Sequence, residues 1–451
     1  MVVLLSAVIA SAEPPTKPRL LVLTDIGGDP DDQQSMIRLM LYANEFEMEG
    51  LIASAAGTPG ELKEAVTKKH LIREIVEAYG RVRDNLAHHA NGYPTAEELL
   101  GRIRSGNPHR GFENIGEGHD TEGSNWIIAT ADKPDPRPLN VTIWGGQTDL
   151  AQALWRVRQG RGTDGLRKFV SQLRVYDISD QDKIQGWIQE NFHDLFYLLA
   201  KAPAGRDKRE GAYRGIYLGG DESLTSRAWI DAHVRLDHGP LGALYPTKTW
   251  TEPNPHSTLK EGDTPSWFYF LPNRLSDPTH PEWGGWGGRF ERAKGNLYRD
   301  AHDTIRGVTD ARATVWRWRA DFQNDFAGRM DWCVKPRTEA NHPPNVRVSG
   351  ELLRRTAPGE RVVLDASDST DPDGHKLAYD WWFYKEPGNY EGDLTMEDRN
   401  LPRTTIIAPR VTQLQTVHIV LTVRDSGTPP LVGYTRVVLA IDPAAQRREK
   451  E

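Results

Sequence analysis

Between Arg19 and about Ala200, short apolar runs alternate with longer stretches whose apolar residues recur at helical spacing. The run "LLVL" (Leu20 to Leu23) is apolar at every position, as a strand buried on both faces must be. It is followed by "QQSMIRLMLYAN" (Gln33 to Asn44), which carries the 3.6-residue period of a helix. "MEGLIAS" (Met48 to Ser54) predicts the next strand, with a long helix starting near Glu61. The theme returns from Leu139 to Gln159 in "LNVTIWGG" and "DLAQALWRVRQ", and "KFVSQLRVYDI" predicts one more strand. Strands alternating with helices predict an α/β fold with a mainly parallel sheet flanked by helices. Sites in such sheets lie at the carboxyl ends of the strands.

The texture changes near Asn341. "NHPPNVRV" reads as a proline-marked joint, and "ERVVLDASDSTDPDGHKLAYDWWFY" as strand, polar loop and strand. "TVHIVLTVRDSGTPPLVGYTRVVLAI" closes with two alternating strands around a Gly/Pro turn. These predict an all-β, immunoglobulin-like sandwich over 341–443, after an α/β domain over 13–337 and before a charged, disordered tail at 444–451. The proline-marked joint further predicts that the two domains fold independently.

Charge and cysteine content narrow the chemistry. The 451 residues carry a formal charge of −7, which gives no electrostatic reason to bind nucleic acid or an anionic membrane. One cysteine, Cys333, excludes an internal disulfide and a cysteine-rich metal cluster. Val2 to Ile9 is apolar and Ala10-Ser11-Ala12 is an A-x-A pattern, so 1–12 reads as a signal peptide remnant and the protein as secreted or periplasmic. No run is long enough for a membrane span. The sequence is compatible with a homo-oligomer.

One cluster stands out against this background. "LVLTDIGGDPDDQQS" places Asp25, Asp29, Asp31 and Asp32 at the end of the first strand and the start of a helix. Helix capping accounts for one or two acidic residues there. Four crowded carboxylates repel one another unless a cation sits among them, and no Lys or Arg lies between Leu21 and Ile37. A hard divalent cation answers this, and Ca²⁺ suits an all-carboxylate site better than zinc.

"TDIGGDPDD" after a strand resembles the N-terminal aspartate motif of the nucleoside hydrolases, with two extra residues between Asp25 and the Asp31-Asp32 pair. "VTIWGGQTDLAQAL" resembles that family's strand ending in Gly-Gly-x-Thr-Asn-x-Ala, and "EGDTPSW" its His-Asp-Pro segment. Together with "HPEWGGWGGRFER" these stretches resemble the divergent, cellulose-binding branch of nucleoside hydrolase-like proteins that carries a β-rich C-terminal domain. The resemblance implies Ca²⁺ held by Asp25, Asp32, Asp263 and the carbonyl of Trp144. It further implies Asp25 as general base and Asp31 as a sugar-hydroxyl ligand. Thr58 stands near the family's sugar-binding Asn, and Gly262 replaces the histidine that assists the leaving base.

Three further residues qualify as ligand contacts. Trp283 and Trp286 lie among glycines and present flat faces suited to stacking on sugars, while Glu122 opens a helix in "DTEGSNW". His193 and His238 fit structural roles better than catalytic ones. "DASDSTDPDG" resembles the polar loop of polycystic-kidney-disease modules, but Ser369 and Asp380 fall where an EF-hand needs Asp and Glu. The expected function is a Ca²⁺-dependent hydrolase of a glycosidic or N-glycosidic bond. Its partner would be a carbohydrate or nucleoside-like small molecule, or a plant-wall polysaccharide. The alternative is a non-catalytic carbohydrate (cellulose) binder on the same fold.

Overall fold

The computed structural model describes residues 17–57, 64–248 and 258–445. The A-x-A segment, Glu61, Thr58 and the tail beyond Ala445 therefore lie outside the described residues. Eight strands form the main sheet: β1 (Arg19–Thr24), β2 (Glu47–Ala53), β3 (Ile103–Ser105), β4 (Leu139–Ile143), β5 (Leu173–Ile178), β6 (Phe196–Ala200), β7 (Phe290–Lys294) and β8 (Leu297–Asp300). Their order is β3-β2-β1-β4-β5-β6-β8-β7, and every pairing is parallel except β7 with β8.

All of β1 is buried, as its unbroken apolar run requires. The one charged residue in it, Arg19, is neutralised by Glu49 at 2.8 Å. Helix α1 (Asp31–Leu41) starts two residues earlier than its apolar period indicates, because Asp31 and Asp32 occupy the first turn, where carboxylates favour the free amides. Helix α2 spans Lys69–Gly80. The stretch "KFVSQLRVYDI" divides: Lys168–Ser171 ends the helix Gln147–Ser171, and β5 begins at Leu173.

The chain builds β1, β2 and β3 outward on one side and then returns to place β4 on the other side of β1. This makes a topological switch point between β1 and β4, beyond whose carboxyl ends a crevice opens. Gly145 and Gly146 allow the close approach there. A Cβ on Gly145 would lie 2.5 Å from the Asp25 Cγ, and Gly146, at φ 82°, turns the chain into the next helix.

The C-terminal part is a β-sandwich. One sheet has the order Leu353–Thr356, Val432–Ile441, Gln415–Arg424, Ala378–Tyr384, and the other Arg361–Asp365, Arg403–Ile407, Met396–Glu397. The two alternating strands expected around the Gly/Pro turn pair antiparallel from Gln415↔Ile441 to Arg424↔Val432. The lobes share one apolar core, in which Tyr384, Val420, Val432 and Tyr434 pack with Trp286, Trp318 and Phe322. Asp303, buried between Arg289 (2.8 Å) and Arg317 (2.6 Å), also accepts a hydrogen bond from Tyr384 of the sandwich at 2.7 Å. This shared core argues against independent folding of the two parts. Among the described residues no helix is long and apolar enough to cross a membrane.

Candidate functional site

At the switch point, a cavity of about 350 Å³ is lined by Asp25, Asp29, Asp31, Asp32 and Asp263, with Trp144 beside them. Asp25 follows β1 and Asp31 and Asp32 open α1, so the parallel sheet delivers them directly. Asp263 comes from far along the chain, immediately before the short helix Thr264–Phe268. Carboxylate oxygens of Asp31, Asp32 and Asp263 lie within 4.8 Å of one another. Thr24 Oγ1 donates to Asp32, which fixes that carboxylate against the end of β1.

Burial and mutual repulsion govern the charge state. Asp31, Asp32 and Asp263 are each held well above the usual carboxylate range, chiefly by burial and then by the neighbouring aspartates. Asp25 is also raised by burial, with the guanidinium of Arg110 pulling the other way. Asp263 Oδ2 and Gln181 Oε1, both on cavity residues, are buried without a hydrogen-bond partner. Orphaned oxygens beside a carboxylate trio form the hard, all-oxygen donor set that a divalent cation such as Ca²⁺ requires. The residues therefore fit the ion, with Asp31, Asp32 and Asp263 as the closest-set donors.

Two of the four expected ligands are otherwise engaged. Asp25 lines the cavity, yet its Oδ2 accepts from Arg110 Nη2 at 2.7 Å. The Trp144 carbonyl accepts from the Gln181 amide. Asp31, expected as a sugar ligand, also sits within the carboxylate trio. Asp29, in the two-residue insertion, faces the same cavity.

Three expected ligand contacts lie outside the lining of the carboxylate cavity. Trp286 is 3 % exposed and packs edge-on against Phe268 (5.2 Å) and Tyr434 (6.2 Å), between the lobes. Trp283 stacks on His280 at 4.4 Å and meets His418 of the sandwich edge-on. The glycine-rich loop thus packs the lobe junction instead of roofing the crevice. Glu122 accepts from the Ser105 amide at 3.0 Å and lies near Lys69 and Arg104, which makes it a brace for its helix start outside the cavity. Thr121 and Ser124 form the capping box of that helix.

Several site residues carry no signal in the motifs. Arg110, on the loop after β3, bridges Asp25 and Asp182 (3.1 Å) and also donates to the carbonyls of Ala55 and Gly57. Its loop is anchored by Asp149, which accepts from Ser54 (2.6 Å), Thr121 (2.7 Å) and the Asn107 amide (2.9 Å). The turn after β5 contributes Ser179, Gln181 and Lys183; the segment 208–214 contributes Lys208, Tyr213 and Arg214. The rule that sites gather at strand carboxyl ends points to "SDQDK" and "NPHRG", whereas Arg214 follows from no local pattern. At Gly262 a Cβ would sit 3.5 Å from the Tyr213 ring and 3.6 Å from Asp31, so Tyr213 faces the place of the missing histidine.

Away from the crevice, His193 is exposed beside Asp194 and His238 is buried against Asp331. The sandwich loop is a hydrogen-bonded turn: Asp371 accepts from the amides of Asp373 and His375, both at 2.9 Å.

Residues 19–290 match the family described as "Cellulose-binding Sde182, nucleoside hydrolase-like domain", and 361–441 the one described as "Cellulose-binding protein Sde0182, C-terminal domain". The structure is similar to that of a nucleoside hydrolase-related protein from Saccharophagus degradans, described as associated with carbohydrate metabolism. The TM-score is 0.79 and the identity 32 %, over 95 % of this chain and 100 % of that one. A likeness to the PKD domain from KIAA 1837 protein has 22 % identity over 21 % of this chain and 84 % of that one, with a TM-score of 0.17, too low to carry an argument. No curated protein matches. With its carboxylate crevice at the switch point of a parallel sheet and its β-rich C-terminal lobe, the chain belongs to the nucleoside hydrolase-like, cellulose-binding family.

Proposed function

We propose that the carboxylate crevice holds a Ca²⁺ ion and hydrolyses a glycosidic or N-glycosidic bond of a sugar substrate. The observation that carries this reading is the trio Asp31, Asp32 and Asp263, with oxygens within 4.8 Å and one of them orphaned in the interior. A bound Ca²⁺ supplies a binding place for sugar hydroxyls and a lowered pKa for a coordinated water. Asp32 and Asp263 would hold the ion, and Asp31 would either join them or take a sugar hydroxyl. Asp25, fixed in orientation by Arg110, faces the cavity as the proton acceptor for the attacking water. Tyr213 and Arg214 line the cavity where the parent family keeps its leaving-group histidine.

The cavity also fits a small sugar better than a flat polysaccharide face. Among the described aromatic side chains only Phe112 is mostly exposed, at 56 %, so the described residues present no strip of exposed aromatic platforms. Secretion or a periplasmic location, from the A-x-A segment, remains part of the proposal and is checked by sequencing the N-terminus of the mature protein.

One observation favours the binding alternative. A guanidinium on Asp25 stabilises its charged form and weakens it as a base. The experiment is a turnover screen of nucleosides and plant-wall oligosaccharides, with and without chelator, on wild type and Asp25→Asn. Chelator-sensitive cleavage abolished in Asp25→Asn supports hydrolysis. Sugar binding without cleavage by the wild type replaces it with the binding function.

A further inference from the structure

The turn Ser179–Lys183 after β5 is strained and firmly held. Ser179 (φ 71°), Asp180 (φ 52°) and Lys183 (φ 60°) all adopt left-handed backbone without being glycine. Such residues cost roughly 1–2 kcal/mol each and persist only where the surroundings over-determine them. Here the Ser179 amide donates to the Ala200 carbonyl at 2.9 Å, and Asp180 takes Lys201 (2.9 Å) and the Gln185 amide (2.9 Å). Asp182 accepts from the Thr148 amide at 2.8 Å as well as from Arg110, and Gln181 is tied to the Trp144 carbonyl. The result is a rigid turn that sets Lys183 against the crevice.

Lys208 lines the same cavity from a separate element, the short turn Lys208–Glu210. Both lysines are exposed, and neither makes an ion pair among the described residues. The other cations of the site already have acids to answer. Arg110 answers Asp25 and Asp182, Arg214 faces Asp31 and Asp263, and the buried Lys260 lies beside Asp29 and Asp31. Six acids (Asp25, Asp29, Asp31, Asp32, Asp182 and Asp263) against these three cations and a divalent ion leave one negative charge. Lys183 and Lys208 turn that into one positive charge, placed at the exposed side of the cavity.

We propose that the crevice takes a sugar bearing an oxyanion substituent, a carboxylate or a phosphate, with its hydroxyls toward the buried aspartates and its anion between Lys183 and Lys208. A neutral sugar would leave two ammonium groups unanswered beside a rigid, strained turn. A monoanion cancels the surplus charge and accepts charge-assisted hydrogen bonds from both lysines. This assignment rests on the proposed cation-dependent sugar site and narrows its substrate class.

The test is isothermal titration of the full chain in calcium. One arm uses galacturonic and glucuronic acid oligomers, one uses ribose 5-phosphate and glucose 6-phosphate, and one uses the neutral counterparts ribose, glucose and cellotriose. The expected result is affinity for one charged arm at least about tenfold above its neutral counterpart, from one to two charge-assisted hydrogen bonds. Whichever charged arm binds identifies the carboxylate or the phosphate as the source. Lys183→Gln and Lys208→Gln should each remove most of that preference and its salt dependence while leaving calcium affinity intact. Calcium uptake with equal affinity for charged and neutral sugars, or a charged preference untouched by both substitutions, overturns this proposal alone. No calcium uptake by the same protein overturns the cation site and, with it, this proposal.

Discussion

Replacing Asp263 with Asn should stabilise the calcium-free protein while abolishing its response to calcium. Three carboxylates with oxygens within 4.8 Å repel in pairs. At an effective dielectric of about 20, each fully charged pair at that distance costs roughly 3.5 kcal/mol. Asp263 takes part in two such pairs, so its neutralisation removes at most roughly 7 kcal/mol of repulsion. Partial protonation already relieves much of this at neutral pH, which leaves an expected gain of about 1–3 kcal/mol. Calcium has the opposite effect. An ion at a hundredfold excess over its Kd stabilises the wild type by about 2.7 kcal/mol, and the variant, short of one donor, gains little. The two unfolding curves should therefore change order: variant above wild type in chelator, wild type level with or above it in calcium. Urea unfolding followed by tryptophan fluorescence reads both. A variant less stable than wild type in chelator, together with a wild type indifferent to calcium, would refute the reasoning.

Other consequences follow from the lobe junction. Asp303→Asn leaves Arg289 and Arg317 buried without their acid and should cost about 3–5 kcal/mol in urea unfolding; a loss under about 1 kcal/mol would contradict the buried-pair argument. Trp286→Ala should cost about 3–5 kcal/mol by emptying the shared core, with sugar affinity in titration unchanged. Lost affinity at intact stability would restore a stacking role. Burial, with Arg436 and His280 adding to it, pushes the His418 imidazole down to about 3. An unfolded His protonates near 6.5, so its stabilising contribution is complete above that pH and drains away as pH falls toward 3. The slope is about 1.4 kcal/mol per pH unit, so roughly 2.7 kcal/mol is lost by pH 4.5, and His418→Gln should flatten the stability curve over that range. An unchanged slope would remove His418 as its source.

The periodic patterns carried most of the architecture. Short unbroken apolar runs such as Leu20 to Leu23 fit strands buried on both faces, and helices between them lead to parallel pairing. The long alternating strands Gln415–Arg424 and Val432–Ile441 likewise show their hairpin pairing in the chain itself. Parts of the site were equally legible, since Asp25, Asp31 and Asp32 sit where a strand ends and a helix begins.

By itself, then, the sequence determined the alternating layers, the acidic strand end and the two-part layout, because backbone period and local charge are written over a few consecutive residues. Only the tertiary structure decided which partner each group meets. Arg110 reaches Asp25 across 85 positions of sequence, and Asp263 joins Asp31 and Asp32 from the far side of the chain. The packing of the tryptophans in the glycine-rich loop is not visible in their local sequence, because their partners Phe268, His418 and Tyr434 come from other elements, two of them in the sandwich. Such pairings follow from how the sheet and lobes close on one another, and no local pattern of apolar and polar residues encodes that closure.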